Sequence, residues 1–139
     1  MNIDTSTEFG QRVAQHLQND QVVWLTTVGP DQTPQPSPVW FLWDGDTLLV
    51  YSQPGTPKLR NIGQHPRVSL NFNSTPTGGD VIVMTGDAWQ DTEAPAAKDH
   101  PAYAEKYARG IAEIGMTPET FAQAYSVPVR IRPTSLRGH

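Results

Sequence analysis

The densest chemistry in the chain lies in the segment Tyr51-Ser52-Gln53-Pro54-Gly55-Thr56-Pro57-Lys58-Leu59-Arg60-Asn61. The run Thr47 to Ser52 is β-branched and apolar and ends in a glycine-bearing turn. Thr56 before Pro57 then predicts a helix start, with the hydroxyl at the N-cap and the proline in the first helical position. A helix amino terminus presents unpaired N–H groups and a partial positive charge, and Lys58 and Arg60 add full charges there. The segment therefore has the means to hold a phosphate. The same residues also have a plain structural reading, because Thr-Pro starts many helices and first-turn cations are often solvated.

Other chemistry-bearing residues are less organised. The four histidines, His16, His65, His100 and His139, follow no metal-ligand spacing, so no metal site is expected, and His65 reads as a helix-end residue. No Ser-His-Asp or paired-carboxylate arrangement is readable, and Asp44 and Asp46 flank Gly45 as hairpin residues. No side chain is assigned as a catalytic acid, base or nucleophile. Trp24, Trp40, Trp43 and Trp89 have the shape to stack on a flat ring or to fill a small core, and Trp24 and Trp89 are assigned to packing or to a subunit seam.

Composition narrows the possibilities. With no cysteine among 139 residues, disulfides, thiol catalysis and cysteine-held metal clusters are excluded, and any redox chemistry needs a borrowed cofactor. A formal charge of -4 without a Lys/Arg run argues against nucleic-acid binding. No apolar stretch approaches membrane-spanning length, and the amino terminus lacks the basic and apolar blocks of a signal peptide. A cytoplasmic protein with no membrane partner is expected.

The elements that must position these residues follow from periodicity. Phe9, Val13 and Leu17 predict an amphipathic helix over about residues 7–18. Strands are predicted at Val22 to Val28, at Val39 to Trp43 as an unalternating buried run, and at Thr47 to Ser52 after the Gly45 hairpin, the three forming a meander. Two more run from Arg67 to Asn73 and from Asp80 to Trp89 around Gly78-Gly79, and a last one spans Val127 to Arg132. Tyr103, Tyr107, Ile111 and Ile114 mark a helix between the fifth and sixth strands, and Thr117-Pro118 starts another. The expected fold is a single domain over residues 1–139, mainly β with flanking helices, in a six-stranded antiparallel split barrel.

The order of Pro36-Ser37-Pro38-Val39-Trp40-Phe41-Leu42-Trp43-Asp44-Gly45, Tyr51-Ser52, Lys58-Leu59-Arg60-Asn61-Ile62 and His65-Pro66-Arg67-Val68 resembles the pyridoxamine-phosphate-oxidase-like superfamily. More narrowly it is similar to the branch of F420-dependent split-barrel enzymes. The resemblance implies a homodimer with a cofactor in each of two clefts between subunits, its ring against Ser37, Pro38, Val39 and Trp40. It also implies that Ser52 and Lys58 reach the cofactor phosphate, with Tyr51, Thr56, Arg60 and Asn61 completing the motif. FMN-using members carry basic residues on the strand matching Ser37 to Leu42 and an Arg directly before the Lys, where this chain has Ser37, Leu42 and Pro57. A lone Lys58 matches the single charge of the F420 phosphodiester better than the terminal phosphate of FMN. The implied function is an F420-dependent oxidoreductase transferring a hydride to or from a small unsaturated or quinone-like substrate. An FMN-dependent oxidase or reductase and a non-enzymatic flavin or tetrapyrrole binder are the alternatives.

The tail from Arg130 to His139 carries three arginines in an acidic protein. Alternation of Val127, Val129 and Ile131 with Arg130 and Arg132 predicts a half-buried strand start whose arginines face one way. Those arginines are expected to meet an acidic partner surface or the anionic groups of F420.

Overall fold

A computed structural model describes residues Met1–His139. The alternation in Val22–Val28 becomes β1, with Val23, Leu25 and Thr27 buried and the intervening side chains half-buried. Six further strands follow: β2 (Pro34–Trp40), β3 (Leu42–Trp43), β4 (Leu48–Ser52), β5 (Arg67–Asn71), β6 (Ile82–Gln90) and β7 (Val127–Gly138). All pair antiparallel in one sheet of order β2-β1-β5-β6-β7-β4-β3. The edge strands β2 and β3 are separated in the chain only by Phe41, so the sheet must curl until its two edges approach. The result is a curled antiparallel half-barrel with flanking helices.

Three expectations need correction. The sheet has seven strands rather than six, because the apolar run Val39 to Trp43 breaks at Phe41 and supplies the end of β2 and all of β3. The expected three-strand meander is absent for the same reason: the β1–β2 and β3–β4 hairpins lie at opposite edges of the sheet. The tail is longer than a half-buried start. β7 pairs with β6 from Gln90↔Val129 through to Ile82↔Gly138, and His139 and Val81 exchange backbone hydrogen bonds of 3.0 Å. The pairing passes Pro133 through a register shift at Thr85/Gly86, and a Cβ on Gly86 would stand 2.2 Å from the Arg132 carbonyl.

The helices begin near the expected places. α1 (Glu8–Asn19) is capped by the Thr7 hydroxyl, which accepts from Gly10 N–H at 3.0 Å, and it buries Val13 and Leu17. α2 (Pro57–Gln64) has Thr56 at its N-cap and His65 at its C-cap. Between β6 and β7 come a 3-10 turn at Ala97–Asp99, α3 (Pro101–Glu113) and α4 (Pro118–Ala124), the last held by a reciprocal Thr117–Thr120 capping box. No helix is long and apolar enough to cross a membrane.

Two hydrophobic clusters result. Eighteen residues fill the barrel, among them Val23, Leu25, Leu70, Met84 and Ile131. Eight others, including Tyr51, Tyr103, Tyr107 and Phe121, pack where α3 and α4 cover the sheet.

Candidate functional site

A cleft of about 380 Å³ opens between the end of β2, the end of β4, the start of α2 and the α3–α4 segment. Pro38, Val39 and Trp40 form one wall, and Tyr51 and Ser52 form the floor. Gln53, Thr56 and Lys58 give the cleft a polar end, and Tyr103, Ile114, Phe121 and Tyr125 complete its lining, with Phe121 beside Trp40.

The polar end is built by the strand-turn-helix connection. Ser52 Oγ donates to the Gln53 carbonyl at 2.9 Å and lies 3.3 Å from Thr56 Oγ1. Thr56 occupies the N-cap position as expected, yet its hydroxyl makes no cap hydrogen bond to the helix, having turned towards Ser52. Lys58 is half-buried rather than exposed, and burial alone lowers its pKa, with no carboxylate of the chain acting on it. A half-buried ammonium beside a hydroxyl turned away from the helix and an uncapped helix start has the chemistry to take one anionic group.

The other end is aromatic. Trp40 stacks on Tyr107 with ring centroids 4.6 Å apart and planes 5° from parallel, and lies 5.6 Å from the Phe121 ring. Phe121 in turn stacks on Tyr125 at 4.6 Å, and Tyr51 meets Tyr103 edge-on at 4.7 Å. Gly110 eases the Trp40 stack, because a Cβ there would sit 3.2 Å from Trp40 Cη2 and press on the indole. Burial pushes the Tyr51 phenol up to about 12 and raises Tyr103 and Tyr107 as well, so the phenols are neutral near pH 7. The tyrosines therefore supply rings and hydroxyl groups, and Lys58 is the one charged group lining the cleft.

Of the residues singled out in the sequence, Pro38, Val39, Trp40, Tyr51, Ser52, Thr56 and Lys58 come together around this cleft. Ser37 pairs with Leu25 in the β1–β2 ladder, outside the lining. Arg60 is exposed and donates to the Gly55 carbonyl at 2.8 Å, bracing the turn. Asn61 is buried, and its amide donates to Thr27 Oγ1 at 3.0 Å and Gln35 Oε1 at 3.1 Å, tying α2 to the β1–β2 hairpin. Among the other tryptophans, Trp24 is half-buried and donates to Asn73 Oδ1, and Trp89 lies under the Arg132 guanidinium at 5.2 Å.

The sequence reading missed the wall formed by Tyr103, Ile114, Phe121 and Tyr125. The i, i+4 spacing of Phe121 and Tyr125 was the available signal, although it does not say what the pair faces. The tail arginines also differ from expectation. Arg130 reaches Asp91 at 3.0 Å and Asp44 at 3.3 Å, and Arg132 reaches Asp46 at 3.1 Å, so both are matched within the chain and neither lines the cleft.

This fold agrees with what comparison finds. A family model described as pyridoxamine 5'-phosphate oxidase matches residues 9–132, and the chain belongs to that family. A search of the curated proteins finds no match. Among solved structures, an F420 reductase is similar at TM-score 0.67 and 23% identity, covering 88% of this chain and 94% of the other. The heme storage protein HutZ of Vibrio cholerae is similar at TM-score 0.64 and 16% identity, covering 99% and 95%. An FAD-binding protein from Mesorhizobium loti is similar at TM-score 0.62 and 16% identity, covering 91% and 88%. At these identities the three likenesses establish the fold.

Proposed function

We propose that the chain is an oxidoreductase that binds the deazaflavin F420 in this cleft and exchanges a hydride with a small unsaturated or quinone-like molecule. The observation that carries the reading is Lys58, a half-buried cation without an anionic partner at the polar end of a cleft that is otherwise aromatic. Lys58, the Thr56 hydroxyl and the first-turn N–H groups of α2 would hold the single charge of a phosphodiester. Trp40 and its neighbours would hold a flat ring and keep water from it. When bound, the deazaflavin supplies the hydride chemistry itself, and the chain binds and orients the reactants.

FMN is the second reading. Its terminal phosphate carries up to two charges, and with Arg60 turned to the Gly55 carbonyl only Lys58 remains to meet them. A tetrapyrrole fits less well, since no histidine, cysteine or methionine lines the cleft and burial keeps the Tyr51 and Tyr103 phenols protonated. A cytoplasmic homodimer belongs to the same proposal, with the half-exposed outer face of the sheet around Trp24 and Val83 covered by a second copy.

Titration of the purified protein with F420 and FMN side by side, followed by absorbance, tests the reading. F420 is expected to bind more tightly, and Lys58→Ala to weaken it about ten- to a hundredfold while thermal unfolding stays unchanged. Equal or tighter FMN binding would transfer the proposal to FMN, and wild-type F420 affinity in Lys58→Ala would remove Lys58 from the site. Light scattering that reports a monomer with cofactor added would overturn the dimer. Oxidation of reduced F420 by quinones separates an enzyme from a carrier.

A further inference from the structure

The break at Phe41 creates a problem that α3 solves. The β1–β2 ladder ends at Trp40 and the β3–β4 ladder begins at Leu42, so Phe41, fully buried, belongs to neither. The Tyr107 hydroxyl accepts from Phe41 N–H at 2.8 Å. Its single proton has two carbonyls within reach, Gln21 at 2.7 Å and Phe41 at 2.8 Å. Lys106 Nζ donates to the Phe41 carbonyl at 2.8 Å, which releases the tyrosine proton for Gln21, and the ammonium also lies 3.9 Å from the centroid of the Phe41 ring.

The same helix face reaches the cleft. Tyr107 is the surface on which Trp40 stacks, and Gly110, one turn on, leaves room for the indole. Lys106 itself lines a separate groove with Leu17, Gln21 and Trp43, outside the candidate cofactor cleft.

We propose that Lys106 is a positioning residue: its charged amine clamps the strand break at Phe41 and so sets Trp40 against the cleft, making the cleft responsive to the protonation of an amine that does not line it. The ligand-binding half of this statement rests on the cleft being the cofactor site; the Trp40 half does not.

Burial lowers Lys106 to about 8, opposed by the Asp20 carboxylate at the end of α1. The charged groups around it are few. Asp20 bonds His16 Nδ1 at 2.7 Å, exposed Glu105 borders the same groove, and Tyr107 stays neutral because burial raises its phenol. β2 and β3 offer Lys106 the Phe41 carbonyl and ring and no ionised side chain. Raising the pH through this value removes the charge, and with it the cation–ring attraction and the charge-assisted hydrogen bond.

The test compares wild type, Lys106→Arg and Lys106→Met between about pH 6.5 and 9.5, a window in which arginine keeps its charge. The first readout is near-UV circular dichroism of the ligand-free protein, with Trp40→Phe identifying the Trp40 component. In the wild type that component is expected to change with a midpoint near 8. It should stay constant in Lys106→Arg and sit at the high-pH value throughout in Lys106→Met. The second readout is F420 affinity, expected to fall about fivefold across the window in the wild type and less in Lys106→Arg, since Lys58 is common to both proteins and the difference between them isolates Lys106. A Trp40 signal that titrates alike in wild type and Lys106→Arg, or not at all, overturns the proposal. If Lys106→Met does not fold, the wild-type and arginine profiles decide alone. Failure of F420 and FMN to bind refutes the cofactor reading and leaves the circular dichroism decisive, whereas binding without a Lys106-dependent titration refutes this proposal alone.

Discussion

The barrel and the α3–α4 segment bury two cores of different chemistry, and β4 is the partition between them. The barrel cluster is almost wholly aliphatic, with Phe41 and Phe72 as its aromatic members, and the buried Thr27 hydroxyl lies on the same face of β1 as Val23 and Leu25. The second cluster is half aromatic, and two of its three tyrosine hydroxyls bond backbone carbonyls, Tyr51 to Pro95 at 2.7 Å and Tyr107 to Gln21 at 2.7 Å. Along β4 every residue is buried, with Leu48 and Val50 facing the barrel and Leu49 and Tyr51 facing the helices. Two-residue periodicity thus deals the side chains of one strand to two cores. The barrel gains most of its stability from apolar area, with the Asn61–Thr27 hydrogen bond as a buried polar contact beside it, whereas the second core builds hydroxyl groups of fixed geometry into its packing, which is what a ligand wall requires.

Substitutions that strike one core and spare the other test this division most strongly. Leu70→Ala, wholly within the barrel, is expected to lower unfolding free energy by about 3 kcal/mol in urea while cofactor affinity of the native protein stays unchanged. Phe121→Leu in the aromatic wall should cost about 1 kcal/mol of stability and weaken the cofactor severalfold. The reverse pattern, affinity lost in Leu70→Ala and retained in Phe121→Leu, would break the distinction.

Truncation comes next in size. Removing Leu136 to His139 takes away the β7 partners of Ile82, Val83 and Met84 and a side chain packed on the barrel cluster, at an expected cost of about 2–3 kcal/mol in unfolding free energy. Since none of these residues lines the cleft, affinity in the surviving native protein should hold, and a loss of affinity without a loss of stability would return the tail to a direct role with the ligand.

How much was legible depended on whether the cause was local. The start of α4 is written in Thr117-Pro118 and Thr120, and the polar end of the cleft in Ser52 to Lys58, because caps and turns act within a few residues. The break at Phe41 is invisible in an evenly apolar run, for it is secured by Lys106 and Tyr107, 65 and 66 residues away. The expected last strand stops at Arg132, yet Pro133, which has no N–H to donate, is carried within β7 at the bulge opposite Gly86, a pairing set by β6 and not by the local residues. The aromatic wall required knowing that α3 and α4 fold over β4, and a helical stripe says which face is buried without saying against what.

The smallest expected effect concerns the far end of the barrel and extends the comparison to pH. His16 on α1 gives Nδ1 to Asp20 at 2.7 Å and Nε2 to Asp80 at 2.8 Å, and it stacks on Phe72 at 5.1 Å. Asp80 also receives Arg12 at 2.6 Å, so this cluster ties α1 to the loop before β6. Burial works against charge on His16, but the hydrogen bonds to the two carboxylates outweigh it and raise its pKa above 6.5. Asp80 moves the other way, held below the usual carboxylate range by its bond to His16 and then by Arg12. A raised folded pKa means that the His16 contribution is complete below the ordinary histidine value and is lost as the pH rises through the raised one. Unfolding free energies from urea titration are therefore expected to decline from about pH 6 upward, by under about 1 kcal/mol in all, and His16→Gln should flatten that slope. Because Phe72 belongs to the barrel cluster, the decline should leave cofactor affinity in His16→Gln equal to wild type. A parallel shift in affinity would mean that the two cores communicate through α1, whose last turn ends beside the Lys106 groove.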